Sequence, residues 1–161
     1  MSRRRRPGGR RAPGGEDLHA ELEAVYAAVE ARFAGASCPA STECCRFAIT
    51  GREPYVTSIE LAHLRRAIAA RGGPVKAERR ALPIAHDSRD AERVCPLLGA
   101  DGRCVVYAAR PLGCRTFWCQ RAEGAKIARR EINDFVRAIQ DIAARHQPQG
   151  DQGRPLTRAL D

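Results

Sequence analysis

The hydrophobic positions of the chain fall into three runs with helical spacing. In GEDLHAELEAVYAAVEARFAG, positions 15 to 35, Leu18, Leu22, Val25, Tyr26, Val29 and Phe33 recur at steps of three and four. That period predicts an amphipathic helix. Glu16 and Asp17 suit its N-terminus, and Gly35 suits its end. The second run, TSIELAHLRRAIAARGG, opens with Thr57 and Glu60 in capping-box spacing and closes on Gly72 and Gly73. Ile59, Leu61, Leu64 and Ile68 make its apolar face. In the third, REINDFVRAIQDIAARH, one face carries Ile132, Phe135, Val136, Ile139, Ile142 and Ala143.

Between these helices the pattern breaks into short pieces rich in Gly and Pro. RFAIT, ahead of Gly51, reads as a short extended segment. Positions 74 to 94 read as a polar connection, with ALPIA extended inside it. Asp101-Gly102 signals a tight turn and a hairpin over residues 97–106. In a two-residue-turn register Cys104 faces Gly99, so Pro96 must redirect the chain if Cys95 and Cys104 are to meet. Pro111 suits the first turn of a short helix, which places Cys114 where a helix N-terminus favours a thiolate. The fold class expected is α+β and mostly helical: a small single domain whose cysteine-rich loops are tied together by a metal or cluster. Residues 16–146 form that domain. Residues 1–15 and 147–161 read as tails, the second, QPQGDQGRPLTRALD, as a flexible one.

Charge changes the picture mainly at the N-terminus. The formal net charge is +9, and MSRRRRPGGRRAPGG holds six arginines and no acid, which leaves +3 for the rest. An Arg-, Gly- and Pro-rich stretch without apolar periodicity is expected to be disordered. It could grip nucleic acid electrostatically, although a solubilising terminus is the blander and stronger reading. No apolar stretch follows it as in a secretion signal, and no segment reaches the ~18 apolar residues of a membrane span. The expected compartment is the cytoplasm.

Seven cysteines sit in this chain: Cys38, Cys44, Cys45, Cys95, Cys104, Cys114 and Cys119. In a reducing compartment that count points to metal or redox chemistry rather than disulfides, and an odd number cannot all pair within one chain. Soft thiolates select zinc, Cu(I) or iron–sulfur clusters. Four thiolates around Zn²⁺ or an oxidised four-iron cluster leave roughly −2 of charge to compensate. Arg103, Arg110, Arg115 and Arg121 lie near the cysteines in sequence, and Arg110 and Arg115 are the expected countercharges. Phe117 and Trp118 could shield such a site, though plain core is the stronger reading. Spacing fits neither a zinc ribbon nor the bacterial ferredoxin run.

The ordered cysteines resemble those of the YkgJ-type cysteine-cluster family, described as zinc- or iron-chelating. Its hallmark is CxxCxxCC followed by CP-x-L…G-x-C-x-x-Y-x-x-RP-x-x-CR. The downstream part is present as Cys95-Pro96, Leu98, Gly102, Cys104, Tyr107, Arg110-Pro111 and Cys114-Arg115. Upstream, Cys38, Cys44 and Cys45 fit the first, third and fourth cysteines, while Ser41 stands at the second. Cys119 could replace the missing ligand or be a buried apolar cysteine. The resemblance implies a chelating protein. Cys45, Cys95, Cys104 and Cys114 form the expected ligand core. Cys44 and Cys45, if locally extended, would point apart and serve two sites, or one ligand and one packing position.

The principal expectation is therefore a cysteine-ligated metal protein. An iron–sulfur cluster, of the four-iron type, is favoured over zinc, with a redox role and an unidentified redox or protein partner. Such a protein could be an oxidoreductase or accessory to one. The alternative is a structural zinc module that binds protein or nucleic acid with help from the basic arm. A third class, an enzyme with a nucleophilic cysteine, needs a base. His63 reads as solvated on its helix and His146 as a helix-end residue. Only His86, in AHDSRD, stands where a base or ligand would be considered, and Asp87 and Asp90 read as loop charges.

Overall fold

The computed structural model describes residues 15–36, 41–74, 93–118 and 126–160. The Arg-rich N-terminal segment, Cys38, ALPIA, His86, Cys119 and Arg121 lie outside the described residues.

The three helices expected from periodicity are present as α1 (Gly15–Arg32), α3 (Ser58–Ala70) and α5 (Arg129–His146). Three short helices, α2 (Phe47–Thr50), α4 (Leu112–Thr116) and α6 (Leu156–Leu160), and two short strands, β1 (Tyr55–Val56) and β2 (Arg154–Pro155), complete the α+β fold. Leu18, Leu22, Tyr26 and Val29 of α1 pack with Ile59 of α3, Leu112 of α4, and Ile139, Ile142 and Ala143 of α5. A second cluster lies on the other side of α3. There Leu61 and Leu64 meet Phe47, Val56, Cys95, Leu97, Val106, Leu156 and Ala159. Helix α3 thus joins a helical half to a half built from irregular backbone.

One buried acid couples the two halves. Glu60 completes the capping box with Thr57. Its Oε2 accepts from the Thr57 amide at 3.0 Å and the Thr57 hydroxyl at 2.9 Å. Its Oε1 accepts from the Tyr26 hydroxyl at 3.2 Å and from the Leu112 amide at 2.8 Å. A side chain that began as a local cap therefore also holds α1 and the first amide of α4. This satisfies groups that would be costly to bury unpaired.

Two expected local structures differ. RFAIT is not extended: after Arg46 the chain turns into α2, and Gly51, at φ 63°, closes it by donating to the Phe47 carbonyl at 2.9 Å. Glycine adopts that left-handed geometry without strain. The C-terminal segment expected to be a flexible tail is instead folded from Arg154 to Leu160. β2 pairs antiparallel with β1, Val56 opposite Arg154 and Tyr55 opposite Pro155. Asp151 accepts from the Ser58 amide, the Thr157 amide donates to Glu53 at 2.8 Å, and Leu156 is buried to 1% exposure. Burying that leucine stabilises by about 1.5–3 kcal/mol, enough to fix a short segment already anchored by hydrogen bonds.

Candidate metal centre

Five cysteines from three stretches of chain line one small cavity. The stretch 41–45 opens with Thr42 in the left-handed region, at φ 60° and ψ 0°, and continues as a 3₁₀ turn over Glu43–Cys45. The Cys45 amide donates back to the Thr42 carbonyl at 2.9 Å. Non-glycine residues seldom adopt this backbone geometry, which tends to gather at functional sites. The turn also corrects the expectation that Cys44 and Cys45 point apart. Their sulfurs are 3.9 Å apart, and both reach the same cavity.

The second stretch meets the first through backbone. Arg46 and Val94 form an antiparallel bridge, flanked by bonds from the Cys95 amide to the Cys45 carbonyl (2.8 Å) and from the Phe47 amide to the Arg93 carbonyl (2.7 Å). In that register Cys45 lies opposite Cys95 and, by the period of two, on the same face. Pro96 then redirects the chain as expected: the Leu98 amide donates to the Cys95 carbonyl at 3.0 Å, with Pro96 at the second turn position it favours. The hairpin register differs by one residue from the two-residue-turn expectation, for Leu98, not Gly99, bridges Cys104. The turn has three residues. The Gly102 amide donates to the Gly99 carbonyl at 3.0 Å, and Gly102 takes φ 75°, the left-handed position of that turn class.

Cys114 arrives on α4, capped by Pro111, its amide donating to the Pro111 carbonyl at 2.9 Å. With Cys44, Cys45, Cys95 and Cys104 it encloses a cavity of about 60 Å³, closed elsewhere by Phe47, Leu97, Pro111 and Leu156. The expected ligand core, Cys45, Cys95, Cys104 and Cys114, is thereby brought together with Cys44.

The surroundings of Cys44, Cys45, Cys104 and Cys114 favour the protonated thiol. Burial pushes Cys114 up to about 12, with the neighbouring thiols adding to the effect. The hydrogen bond with Cys44 lowers Cys45, but its bond to Cys95 and burial outweigh this and leave it at about 11. Cys44 is raised by its bond to Cys45 and by burial, and Cys104 by burial. Burial and mutual repulsion therefore override the short helix that was expected to favour a Cys114 thiolate. Among the described residues no three His, Cys, Asp or Glu side chains are already arranged to hold a metal ion.

Three observations bear on whether a metal fits. Two thiolates on tetrahedral zinc, each at ~2.3 Å, lie ~3.8 Å apart, close to the separation of the Cys44 and Cys45 sulfurs. The cavity, of about 60 Å³, has room for a water-sized group, which is larger than a bare metal ion. Arg110 also lines it and draws Cys44, Cys104 and Cys114 toward the thiolate. The Nε of Arg110 is buried with no hydrogen-bond partner among the described residues. Its guanidinium carbon sits 3.7 Å from the centre of the Tyr107 ring.

Arg115 does not share that role. It is buried, with Nε donating to the Arg110 carbonyl at 2.7 Å and the other nitrogens to Ala108 and Glu30. Its charge lies 4.0 Å from the centre of the Tyr26 ring. It fastens the loop that carries Arg110. Trp118 packs on Phe33, with ring centres 5.4 Å apart, and Phe117 lines a neighbouring cleft. His63, expected on a solvated face, is half-buried against Tyr26 and His19, and burial lowers its pKa. His146 ends α5 with Nδ1 2.8 Å from the Ser58 hydroxyl. Sequence reasoning missed Phe47, Leu97 and Leu156 as walls. The only trace of Leu156 was the three- and four-residue spacing of Leu156, Ala159 and Leu160.

Among the described residues no helix is long and apolar enough to cross a membrane. No protein-family model matches the chain, and no curated protein or solved structure matches it significantly.

Proposed function

We propose that this chain is a metal-binding protein whose cysteine thiolates hold an iron–sulfur cluster or a zinc ion. The supporting observation is the convergence of Cys44, Cys45, Cys95, Cys104 and Cys114 on one cavity, with Arg110 beside them. Ordinary core positions do not require five thiols in one wall. Such a set suits soft metals and, once deprotonated, needs a nearby cation. Five thiols supply the four ligands that either a zinc ion or a four-iron cluster takes. The small cavity supports a single ion. A cluster would supply one-electron transfer, and zinc would supply folding energy or Lewis acidity.

Elemental analysis and a visible spectrum of protein purified without oxygen separate the two. Iron with sulfide and a broad band near ~400 nm, bleached by dithionite, establishes a cluster. About one zinc per chain without colour establishes the ion. Neither metal at stoichiometric level, after reconstitution with either, removes the reading.

A further inference from the structure

Beside the cysteine cavity lies a second and much larger one, of about 920 Å³. The two share a wall, because Cys44 and Cys114 line both. Its volume is in the range that holds a small organic ligand, ~300–1,000 Å³. Its charge is one-sided: among the described residues Arg52, Arg93 and Arg158 line it, against Glu53 as the one acid. Glu53 is already engaged, accepting from the Thr157 amide at 2.8 Å and the Thr157 hydroxyl at 2.5 Å, with Arg93 at 3.9 Å. Arg52 and Arg158 have no acidic partner among the described residues. The Arg52 guanidinium lies 5.6 Å from the centre of the Phe117 ring, so an aromatic face fixes one side of the positive wall.

We propose that this cleft binds a small organic anion, carrying a carboxylate or phosphate group, on Arg52 and Arg158. The proposal extends the metal-centre reading, since the bound molecule would lie against the Cys44 and Cys114 wall. Arginine supplies the planar donor fork that oxyanions pair with, and the low-polarity flank of Phe117 strengthens that pairing. A cleft open to one side and floored by two thiols admits a small molecule to the metal's neighbourhood, which a fully closed structural site does not.

The test is calorimetric titration of the full chain, as purified with its metal, using inorganic phosphate in one arm and succinate in the other. One arm or both should show saturable binding to one site that weakens as salt is raised. The R52Q/R158Q double variant should bind the same probe at least about tenfold more weakly, the loss expected for charge-assisted hydrogen bonds. Both positions are exposed, so circular dichroism and metal content should be unchanged in that variant. Equal, non-saturable heats from wild type and double variant overturn the proposal. So does binding of an oligonucleotide without binding of either small anion. Metal content measured on the same samples keeps the two readings apart: saturable, arginine-dependent binding by a chain that holds no metal leaves the anion site standing and removes the metal centre.

Discussion

Replacing Glu60 by alanine should destabilise the chain by about 3–7 kcal/mol. The estimate rests on its four hydrogen bonds. In the alanine variant the Tyr26 hydroxyl and the Leu112 amide lose their acceptor inside the protein, at about 1–3 kcal/mol each. The Thr57 amide loses its cap, worth ~1 kcal/mol, while the Thr57 hydroxyl can turn to water. A domain of this kind has ~5–15 kcal/mol in total, so the loss is a large share of it. Glutamine is the informative comparison. It has one acceptor oxygen where the carboxyl group has two, so it can serve Tyr26 and Leu112 or Thr57, but not both pairs. Its cost should be about 1–2 kcal/mol. Tyr26→Phe removes a donor together with its need and should stay within about 1 kcal/mol. Urea unfolding of the metal-free chain, followed by circular dichroism, reads all three. An alanine variant within about 1 kcal/mol of wild type would refute the assignment of Glu60 as the tie between α1, α3 and α4.

The C-terminal segment gives a second expectation: Leu156→Ala should cost about 2–5 kcal/mol in the same assay, the range for a leucine at 1% exposure, whereas a loose tail would leave the midpoint unmoved. The thiols give a third. Cys114 is raised from 9.0 to about 12, so between those values the unfolded chain releases a proton that the folded chain keeps. Its contribution is therefore whole below pH 9 and falls as pH rises, by about 1.4 kcal/mol per pH unit. Urea midpoints of the metal-free protein at about pH 8 and about pH 10.5 should show this fall, and C114S should make it less steep, with Cys44, Cys45 and Cys104 supplying the remainder; identical slopes for the two proteins would contradict a buried neutral thiol at that position.

The helices were legible because their signal is local. Leu22, Ile59 and Ile139 repeat at a period that belongs to one helix at a time, and the Thr57–Glu60 cap lies within four residues. The cysteine grouping was legible for a different reason: thiols are scarce and their chemistry narrow, so five of them imply a meeting place before any geometry is known. What joins them was not legible. The bridge of Arg46 with Val94 and the bond from the Leu112 amide to Glu60 span long separations and leave no periodic trace. RFAIT failed as a strand because Gly51 closes a helical turn there, and the partners Arg115 takes, Arg110, Ala108 and Glu30, leave no trace in the spacing of the cysteines. The hairpin missed by one residue because Asp-Gly serves two-residue and three-residue turns alike.

The pairing of β1 with β2 has a consequence for the order of events during synthesis. All five thiols that share the cavity wall, and its one proline, Pro111, are on the chain well before Leu156 emerges from the ribosome. Until Arg154 finds Val56, the cavity lacks its leucine wall and Phe47 and Leu64 lack part of their cover. Ordering of residues 154–160 then supplies that wall of the cavity. On the metal-centre reading proposed above, an ion taken up in that interval would enter from a side the finished protein no longer offers, and the same short segment that completes the core would govern how readily the ion leaves.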